Sequence, residues 1–354
     1  MKISIIAFND IKLCPYINPY VSFCRAEGID FEVIYANRSG TEQTADYTTV
    51  PIAWNKSKGK IANFLSFRKS VIRYLKRNKR DFVILLTTMP AVLLGSFMKK
   101  HYNGRYLVDI RDYTYENVKF FYKREKRAIS GAAMNVISSP GFKNFLPEGD
   151  YTLCHNASAA YKIPANYTFS KKANGPITIG YVGSIAYKAN CRKLIDLIKD
   201  DTRFAFHLWG GEVGSNELTE YVSSLGSDRI KAFGAYTPDQ KVGIMESVDI
   251  LFNIYGNDRP LVLYALSNKL YDACYMKLPV LTSSDTSMSE ELGDYAFDVD
   301  FDDEKILDKL YEWYHAIDGE AFSVYAEKYL RTVFEDQERF YSKLKETVRD
   351  ASAE

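Results

Sequence analysis

The sequence of 354 residues predicts an α/β protein of two tandem Rossmann-like domains, each a doubly wound parallel sheet. Short runs of β-branched and aromatic residues alternate with longer helical patterns from the first residue, as in parallel βαβ units. A stretch rich in turn residues at 156–176 interrupts this alternation, which then starts again. The length suits two domains of ordinary size. Ligands are expected in a cleft between the domains, at the carboxyl ends of the strands.

The elements follow from this alternation in chain order. In the first domain, predicted at 1–165, the strands are 3–8, 31–36, 82–87, 106–111, 134–139 and 151–155. Turn residues including Pro164 and Asn166 mark the boundary. In the second domain, predicted at 166–336, the strands are 177–182, 204–209, 230–233, 249–255, 280–283 and 296–299. The chain is helical from Asp302 onward, and a helix at 337–354 is predicted to pack back on the first domain.

The net charge of +1 hides a difference between the two predicted domains. Residues 1–165 hold 25 Lys and Arg against 13 Asp and Glu, a net charge of +12, whereas residues 166–354 hold 21 against 32, a net charge of −11. We therefore expect only the first domain to face an anionic surface or acceptor. No nucleic-acid partner is predicted, because the basic residues lie in no recognised nucleic-acid-binding module.

Cysteine, histidine and hydropathy patterns exclude several classes of protein. No C-x-x-C pair and no metal-binding histidine spacing occurs, so neither a protein-held metal nor a cofactor is predicted. No apolar run reaches the roughly 18 to 20 residues that span a bilayer, and the chain opens on strand-like residues, which predicts a cytoplasmic location. The D-V-D sequence at 298–300 has the form of a metal-binding D-x-D motif. It lies late in the chain among acidic residues, and helix capping is predicted for it instead.

The segment L-S-N-K-L-Y-D-A-C-Y-M-K-L-P-V at 266–280 carries the strongest functional signal. A helix that begins near Ser267 would offer the free N–H groups of its first turn, including Asn268, to a diphosphate, and Lys269 would add a full positive charge. Asp272 lies one turn further along the same helix. An amphipathic helix before a buried strand is the alternative interpretation, and it needs no ligand.

This segment resembles the donor-site signature of the retaining, GT-B-fold glycosyltransferases of family 4, especially the branch that builds bacterial surface polysaccharides. The resemblance implies that Asp272 holds the ribose hydroxyls of a nucleotide-sugar donor, where the family usually has Glu. Many members also carry an acidic residue eight positions earlier that contacts the donor sugar, whereas this chain has Tyr264. The sugar contact is therefore expected from amides at the helix start, or from Asn257 and Asp258.

A glycine turn at the end of the first predicted strand of the second domain supports the same resemblance. The sequence G-Y-V-G-S at 180–184 places Gly183 and Ser184 where a backbone can approach a phosphate closely. In the family, basic residues follow this turn. The resemblance implies that Lys188 and Arg192 neutralise the leaving diphosphate without a metal.

Two further positions are predicted to lie near the nucleotide base. Gly210, in W-G-G at 209–211, ends a predicted strand at a place where the family often has a glycine pair. Tyr236 follows the next strand and would stack on the base. A tight strand-to-helix turn and a buried tyrosine are the structural alternatives for these two residues.

The sequence D-I-R-D at 109–112 ends a predicted strand of the first domain and recurs in the same polysaccharide branch. Charged residues at such strand ends point into the ligand crevice. Asp112 would position or deprotonate an acceptor hydroxyl, and Arg111 would pair with a phosphate or with Asp112 itself. A structural ion pair is the competing interpretation.

Two stretches of the first domain are both basic and apolar. Residues 56–80 hold ten basic residues and no acidic one, interleaved with apolar side chains, and F-F-Y-K-R at 120–124 adds a second cluster. Basic amphipathic helices of this kind bind anionic lipid headgroups. Peripheral contact with the inner face of the cell membrane is one prediction, and a solvated helix face is the other.

The resemblance to family 4 thus implies a bacterial, metal-independent glycosyltransferase that moves a sugar from a nucleotide donor, expected to be UDP-linked, to a glycan or lipid-linked glycan. Retention of configuration at the anomeric carbon is implied by the resemblance alone. Two alternatives stay open. One is a nucleotide-sugar 2-epimerase of the same architecture, and the other is a non-catalytic subunit that binds a nucleotide sugar, which Tyr264 would fit.

Overall fold

The computed structural model describes residues 1–158, 161, 167–172 and 174–353. Pro164, Asn166 and the predicted boundary at 165–166 lie outside these residues. The chain divides into two compact units, Met1–His155 with Glu335–Glu354, and Asn156–Phe334. Within the described residues, no helix combines the length and the hydropathy that a membrane span requires.

The first unit is built on a seven-stranded parallel sheet. Its strands are β1 (Lys2–Ala7), β2 (Asp30–Asn37), β3 (Thr48–Ala53), β4 (Phe82–Leu86), β5 (Tyr106–Ile110), β6 (Met134–Ile137) and β7 (Thr152–Leu153). Their spatial order is β3-β2-β1-β4-β5-β6-β7, so the strand order reverses between β1 and β4. Strands β1, β4 and β5 are almost entirely buried, as in sheets that are covered on both faces.

Helices cover both faces of this sheet. The helices of the first unit are α1 (Asn18–Ala26), α2 (Lys60–Arg77), α3 (Thr88–His101) and α4 (Lys119–Ile129). Helix α3 packs against the sheet and between α2 and α4. On the other face, Tyr20 of α1 shares a core with Phe340 and Leu344, which belong to the last helix of the chain.

Strand β3 is not predicted by the sequence pattern. It lies at the edge of the sheet, contains Pro51, and has five of its six residues exposed or half-buried. Proline donates no backbone hydrogen bond, and edge strands tolerate it because one side of their ladder is unpaired. The edge position therefore explains both the proline and the weak apolar signal.

The second unit is built on a six-stranded parallel sheet, and all six of its strands are predicted. They are β8 (Ile177–Val182), β9 (Phe204–Trp209), β10 (Ile230–Gly234), β11 (Ile250–Phe252), β12 (Val280–Thr282) and β13 (Ala296–Asp298). The spatial order β10-β9-β8-β11-β12-β13 reverses between β8 and β11. Both sheets have the doubly wound topology, so the predicted fold class is confirmed.

Eight helices accompany this second sheet in the described part of the chain. They are α5 (Lys188–Ile198), α6 (Glu217–Ser224), α7 (Lys241–Glu246), α8 (Pro260–Tyr264), α9 (Asn268–Met276), α10 (Ser287–Leu292), α11 (Ile306–Ala316) and α12 (Gly319–Ala353). One core joins the sheet to α5, α6 and α11, and a second joins it to α7, α9, α10 and the first half of α12. The second half of α12 belongs to the first unit.

Candidate functional site

Two glycines lie against each other where β8 and β9 end. The N–H of Gly183 donates to the carbonyl of Trp209 at 2.9 Å, and the N–H of Gly210 donates to the carbonyl of Gly234, at the end of β10, at 2.7 Å. Gly183 and Gly210 have φ angles of 132° and 142°, which favour glycine. A Cβ atom on Gly210 would lie 1.9 Å from the carbonyl oxygen of Gly183. The absence of a side chain at Gly210 thus makes room for the backbone of Gly183, and the positive φ angles disfavour a side chain at either position.

Helix α9 begins where the sequence predicts. Ser267 precedes its first residue with an extended backbone, and the Ser267 hydroxyl accepts a hydrogen bond from the N–H of Lys269 at 3.3 Å. Asn268, the first helical residue, is exposed, as is Ser184 in the glycine turn. The start of α9 is thus formed by a short polar cap that leaves Asn268 open to a ligand.

The ammonium of Lys269 is buried among tyrosines. Its Nζ donates to the hydroxyl of Tyr255 at 2.6 Å and lies 4.7 Å from the ring centroid of Tyr181. The ring of Tyr187 stacks on Tyr255 with centroids 3.8 Å apart. We call Tyr181, Tyr187 and Tyr255 the tyrosine cage. The Lys269 side chain is 7% exposed, and among the described residues no carboxylate forms an ion pair with it.

Burial lowers the pKa of Lys269, while Tyr181 and the more distant charge of Asp272 oppose this shift. The ammonium lies 3.7 Å from the position that a Cβ atom on Gly183 would occupy. Gly183 follows β8, and Tyr255 lies shortly after β11, so the ammonium is at the point where the strand order reverses. Ligands of doubly wound sheets bind at this point. Gly183, Gly210 and Lys269 are therefore brought together, whereas the sequence pattern misses the tyrosine cage.

Asp272 is buried and already has two partners. Its carboxylate lies 2.6 Å from the Nζ of Lys241 and also accepts a hydrogen bond from the hydroxyl of Tyr161. The Tyr161 ring stacks on Tyr275 with centroids 4.2 Å apart. Burial raises the pKa of Tyr236, and the charge of Asp272 adds to this rise, which places these two predicted residues near each other. To bind ribose hydroxyls, Asp272 would have to share or release one of its present partners.

Lys188 and Arg192 are engaged by other side chains. The Nζ of Lys188 lies 2.9 Å from the carboxylate of Glu217, at the start of α6. The guanidinium of Arg192 lies 3.3 Å from the ring centroid of Tyr221 and 3.5 Å from the carboxylate of Asp196. The donor role of these two cations stays a prediction, and it would require them to leave these partners.

In the first unit, Arg111 forms a structural ion pair. Its Nε lies 2.6 Å from the carboxylate of Asp109, and its Nη1 donates to the carbonyl of Cys154 at 2.8 Å. The hydroxyl of Tyr20 also donates to Asp109 at 2.7 Å. Of the two partners predicted for Arg111, a phosphate or Asp112, the structure does not show Asp112: Arg111 directly follows β5 and pairs with Asp109, because side chains two positions apart in an extended chain lie on the same side and adjacent ones do not. Arg111 is 5% exposed and is taken up by this pair.

Asp112 differs from Arg111 in being exposed. Within the part of the chain that the structure describes, its carboxylate accepts no hydrogen bond and joins no ion pair, and only its backbone carbonyl accepts, from the Thr88 hydroxyl at 3.4 Å. Desolvation by surrounding protein atoms raises the pKa of Asp112, Arg111 lowers it, and Asp109 raises it. Exposure to water limits the size of this shift. Asp112 thus has the accessible, unpaired carboxylate that a general base requires.

No group of three or more His, Cys, Asp or Glu side chains in the described ranges is arranged to hold a metal ion. In the D-V-D sequence, the carboxylate of Asp298 accepts from the hydroxyls of Thr282 and Ser289 at 2.7 and 2.8 Å. Asp300 accepts from the N–H of Asp302 at 3.0 Å. These contacts tie both carboxylates to neighbouring loops and helix ends.

Neither a protein-family model nor a curated protein sequence matches this chain. Solved structures do match it. The lipopolysaccharide outer core galactosyltransferase WaaB, in its apo form, aligns with a TM-score of 0.67 and 15% identity over 99% of both chains. Sucrose-phosphate synthase from Thermosynechococcus elongatus aligns with a TM-score of 0.71 and 12% identity over 100% of this chain and 99% of that one.

A third similar structure is Anabaena HepE in complex with UDP and glucose, with a TM-score of 0.66 and 11% identity over 99% of this chain and 100% of that one. Identities this low show the fold and not the activity. The chain therefore has the GT-B fold, as the sequence predicts. Family 4 itself remains a prediction.

Proposed function

We propose that the protein is a glycosyltransferase that moves a sugar from a nucleotide diphosphate donor to a glycan or lipid-linked glycan. The observation that carries this proposal is the buried ammonium of Lys269, which has no carboxylate partner among the described residues and lies beside the glycine turns. The GT-B fold supports the proposal, because the similar structures WaaB, sucrose-phosphate synthase and HepE include sugar-transferring enzymes by their names.

The environment of Lys269 suits a diphosphate. Burying an ammonium without an anion costs on the order of several kcal/mol. Contact with aromatic faces, as in the tyrosine cage, recovers only about 0.5–2 kcal/mol of this cost. A diphosphate bound at the start of α9 would supply the missing negative charge and would also accept from free N–H groups of the helix. Because the unpaired ammonium destabilises the folded protein when no anion is bound, we expect this arrangement to serve binding rather than stability.

We propose UDP as the nucleotide, since HepE was solved with UDP and glucose. Asp272 would accept the ribose hydroxyls in exchange for Tyr161 or Lys241, and Tyr236 would lie beside the base. Asp112 of the first unit would position or deprotonate the acceptor hydroxyl. Retention of configuration and independence of a metal are part of the proposal, and they rest on the resemblance of segment 266–280 to family 4.

We further propose that the first unit contacts an anionic membrane from the cytoplasmic side. Four residues of α2, spaced four apart, form an exposed stripe: Ile61, Leu65, Lys69 and Arg73. The two apolar members, Ile61 and Leu65, are 75% and 59% exposed. Apolar side chains next to basic ones suit the headgroup region of a bilayer. This contact would bring the acceptor-binding unit to a lipid-linked glycan.

The first test is a calorimetric titration with UDP, in the presence of EDTA, of the wild type and of Lys269→Met. We expect UDP to bind the variant ~10–100-fold more weakly, because a charge-assisted contact to the diphosphate is lost. The variant should melt at the wild-type temperature or higher, since methionine fills the tyrosine cage without a buried charge. Lys193→Met, an exposed lysine of the same unit, is the matched control and should bind UDP normally.

Equal UDP affinity in the wild type and in Lys269→Met would contradict the proposed donor site. A second step then tests turnover with UDP-sugars. UDP binding without transfer to any acceptor would indicate a non-catalytic nucleotide-sugar-binding subunit, and conversion of the donor without an acceptor would indicate an epimerase.

A further inference from the structure

Arg38 lies between two aromatic rings at one edge of the sheet of the first unit. Its guanidinium carbon is 4.7 Å from the ring centroid of Phe8 and 4.6 Å from that of Trp54. Phe8, Arg38 and Trp54 are the first residues after β1, β2 and β3, which are neighbours in the sheet. The ring of Phe64 packs against both Phe8 and Trp54, with centroids 5.3 and 6.0 Å away. We call these four residues the Arg38 clamp.

The guanidinium of Arg38 forms no ion pair with a carboxylate in the described part of the chain. It donates no hydrogen bond to any described residue and joins no ion pair there, although Arg80 and Arg111 of the same unit pair with Glu32 and Asp109 at 2.7 and 2.6 Å. Its Nε is buried by the clamp, so the terminal amino groups are the part that a ligand can reach.

Asp10 lies in the same region but forms no ion pair with the Arg38 guanidinium. The carboxylate of Asp10 accepts from the backbone N–H groups of Arg38 and Ser39 at 3.1 and 3.0 Å, and from the hydroxyl of Ser39 at 3.2 Å. It therefore holds the loop after β2 rather than the guanidinium. Desolvation lowers the pKa of Arg38, and electrostatic interactions with Cys14, Asp10 and Tyr16 oppose this shift without reversing it. An arginine side chain nevertheless stays protonated.

A guanidinium held in this way is preorganised for an oxyanion. The planar fork of arginine matches the oxygens of a phosphate or carboxylate, and stacking on aromatic faces fixes the plane of the fork. Because the rings already restrict the side chain, little further conformational entropy is lost when an anion binds. Arg80 also lies over an aromatic ring, 5.6 Å from the centroid of Tyr74, but it has the carboxylate of Glu32 as its anion, which Arg38 lacks among the described residues.

Tyr16 connects the clamp to Asp112. Burial raises the pKa of Tyr16, and Cys14 and then the charge of Asp112 add to this rise. The Tyr16 phenol is also one of the groups that raise the pKa of Arg38. Arg38 follows β2 and Asp112 follows the residue after β5, so both lie at the same carboxyl edge of the sheet. Strands β1 and β4 lie between β2 and β5, so an acceptor with its anionic group at Arg38 and a hydroxyl near Asp112 would extend along this edge of the sheet.

We propose that the Arg38 clamp is an acceptor subsite that binds a phosphate or carboxylate group attached to the acceptor sugar. This inference rests on the proposed glycosyltransferase function and narrows it, because it selects anionic acceptors over neutral ones. The clamp supplies charge and orientation, while Asp112 serves the reacting hydroxyl.

The test is a set of binding titrations at constant ionic strength with glucose 6-phosphate, glucuronate, inorganic phosphate and glucose. We expect glucose 6-phosphate or glucuronate to bind the wild type ~10–100-fold more tightly than Arg38→Gln, because a charge-assisted fork is lost. Arg38→Lys keeps the charge without the planar fork and should fall between the two. Arg127→Gln removes an exposed arginine of the same unit and should bind like the wild type.

Equal binding of the sugar anions to the wild type and to Arg38→Gln would overturn the proposal. Glucose binding as tightly as glucose 6-phosphate would also overturn it. Tighter binding of inorganic phosphate than of either sugar anion would do the same, because the site would then bind free phosphate rather than an acceptor sugar. UDP titrations of the same proteins separate the two hypotheses. Arg38→Gln should keep wild-type UDP affinity, whereas failure of the wild type to bind UDP would count against the donor site instead.

Discussion

Glu125 is the most unusual single residue outside the proposed sites. It is fully buried in α4, and neither of its carboxylate oxygens has a hydrogen-bond partner among the described residues. Burial raises the pKa of Glu125 to about 8, and the charge of nearby Glu116 contributes to the rise. Glu116 is itself buried with one unpartnered oxygen. The Glu125 carboxyl is therefore neutral at pH 7, and the folded state binds its proton more tightly than the unfolded state.

This proton makes stability depend on pH. The contribution of Glu125 is fully present below the unfolded pKa near 4.5 and is lost as the pH rises through about 8. We expect the wild type to lose melting temperature between pH 5 and pH 8.5, and Glu125→Gln to lose clearly less. Melting curves across this range test the prediction, with the exposed Glu148→Gln as the control. An identical decline in the wild type and in Glu125→Gln would show that this carboxyl is not responsible.

Residues of the site are predictable from the sequence when their partners are close along the chain. Ser267 and Lys269 are found because a helix start is a local pattern. The hydroxyl of Tyr161 that binds Asp272 comes from 111 positions away, and no local pattern indicates it. Arg111 shows a third case. Asp109 and Asp112 are both close to it in sequence, and the structure pairs it with Asp109, two positions before it.

At the scale of an element, the turn after β9 depends on one glycine. Gly210 follows Trp209 with a φ of 142°, and a side chain there would collide with the carbonyl oxygen of Gly183, 1.9 Å away. The neighbouring Gly211 has no atom within 4 Å of its Cβ position. A side chain is thus blocked at Gly210 but has free space at Gly211, so the two adjacent glycines form a matched pair for mutation.

We expect Gly210→Ala to lower the free energy of unfolding by about 2–4 kcal/mol, since backbone strain and a steric clash add. It should also weaken UDP binding, because relief of the clash moves Gly183. Gly211→Ala should change both quantities little. Denaturant unfolding and UDP titration of the two variants measure this, and similar losses in both variants would contradict a special role for Gly210.

Most elements were predictable because buried parallel strands are apolar runs between helical patterns. The exception, β3, has its apolar signal weakened by edge position and by Pro51. The ends of strands are less well predicted than their centres. The predicted strand 249–255 runs on to Tyr255, whereas β11 ends at Phe252 and the segment after it carries Tyr255 to Lys269. The mismatch occurs at the candidate site, where departures from the sequence pattern are expected.

For the whole molecule, the two units differ in charge. The unit Met1–His155 with Glu335–Glu354 holds 28 Lys and Arg against 19 Asp and Glu, a net charge of +9, whereas Asn156–Phe334 holds 18 against 26, a net charge of −8. The asymmetry predicted from the sequence therefore persists when the chain is divided by its contacts. A basic first unit suits both an anionic acceptor and an anionic lipid surface.

Vesicle flotation tests the membrane contact. We expect the wild type to float with vesicles that contain phosphatidylglycerol and not with pure phosphatidylcholine, and to be released by 1 M salt, where the screening length falls to about 3 Å. The double variant Ile61→Glu, Leu65→Glu should bind at least ~10-fold more weakly, because two apolar side chains no longer insert. Val324→Glu, on a residue that is 65% exposed in the other unit, is the control. Unchanged flotation of the double variant would contradict the contact.

Because the last helix is shared, the two units become complete at different stages of synthesis. Residues 319–334 of α12 belong to the second unit and residues 335–353 to the first, where Phe340, Leu344 and Val348 complete the core around Tyr20. A ribosome delivers β1 to β7 first, but these three side chains follow only after the whole second unit has been translated. The first unit is therefore synthesised first but keeps the part of its core around Tyr20 uncovered until α12 emerges, so it completes its folding last.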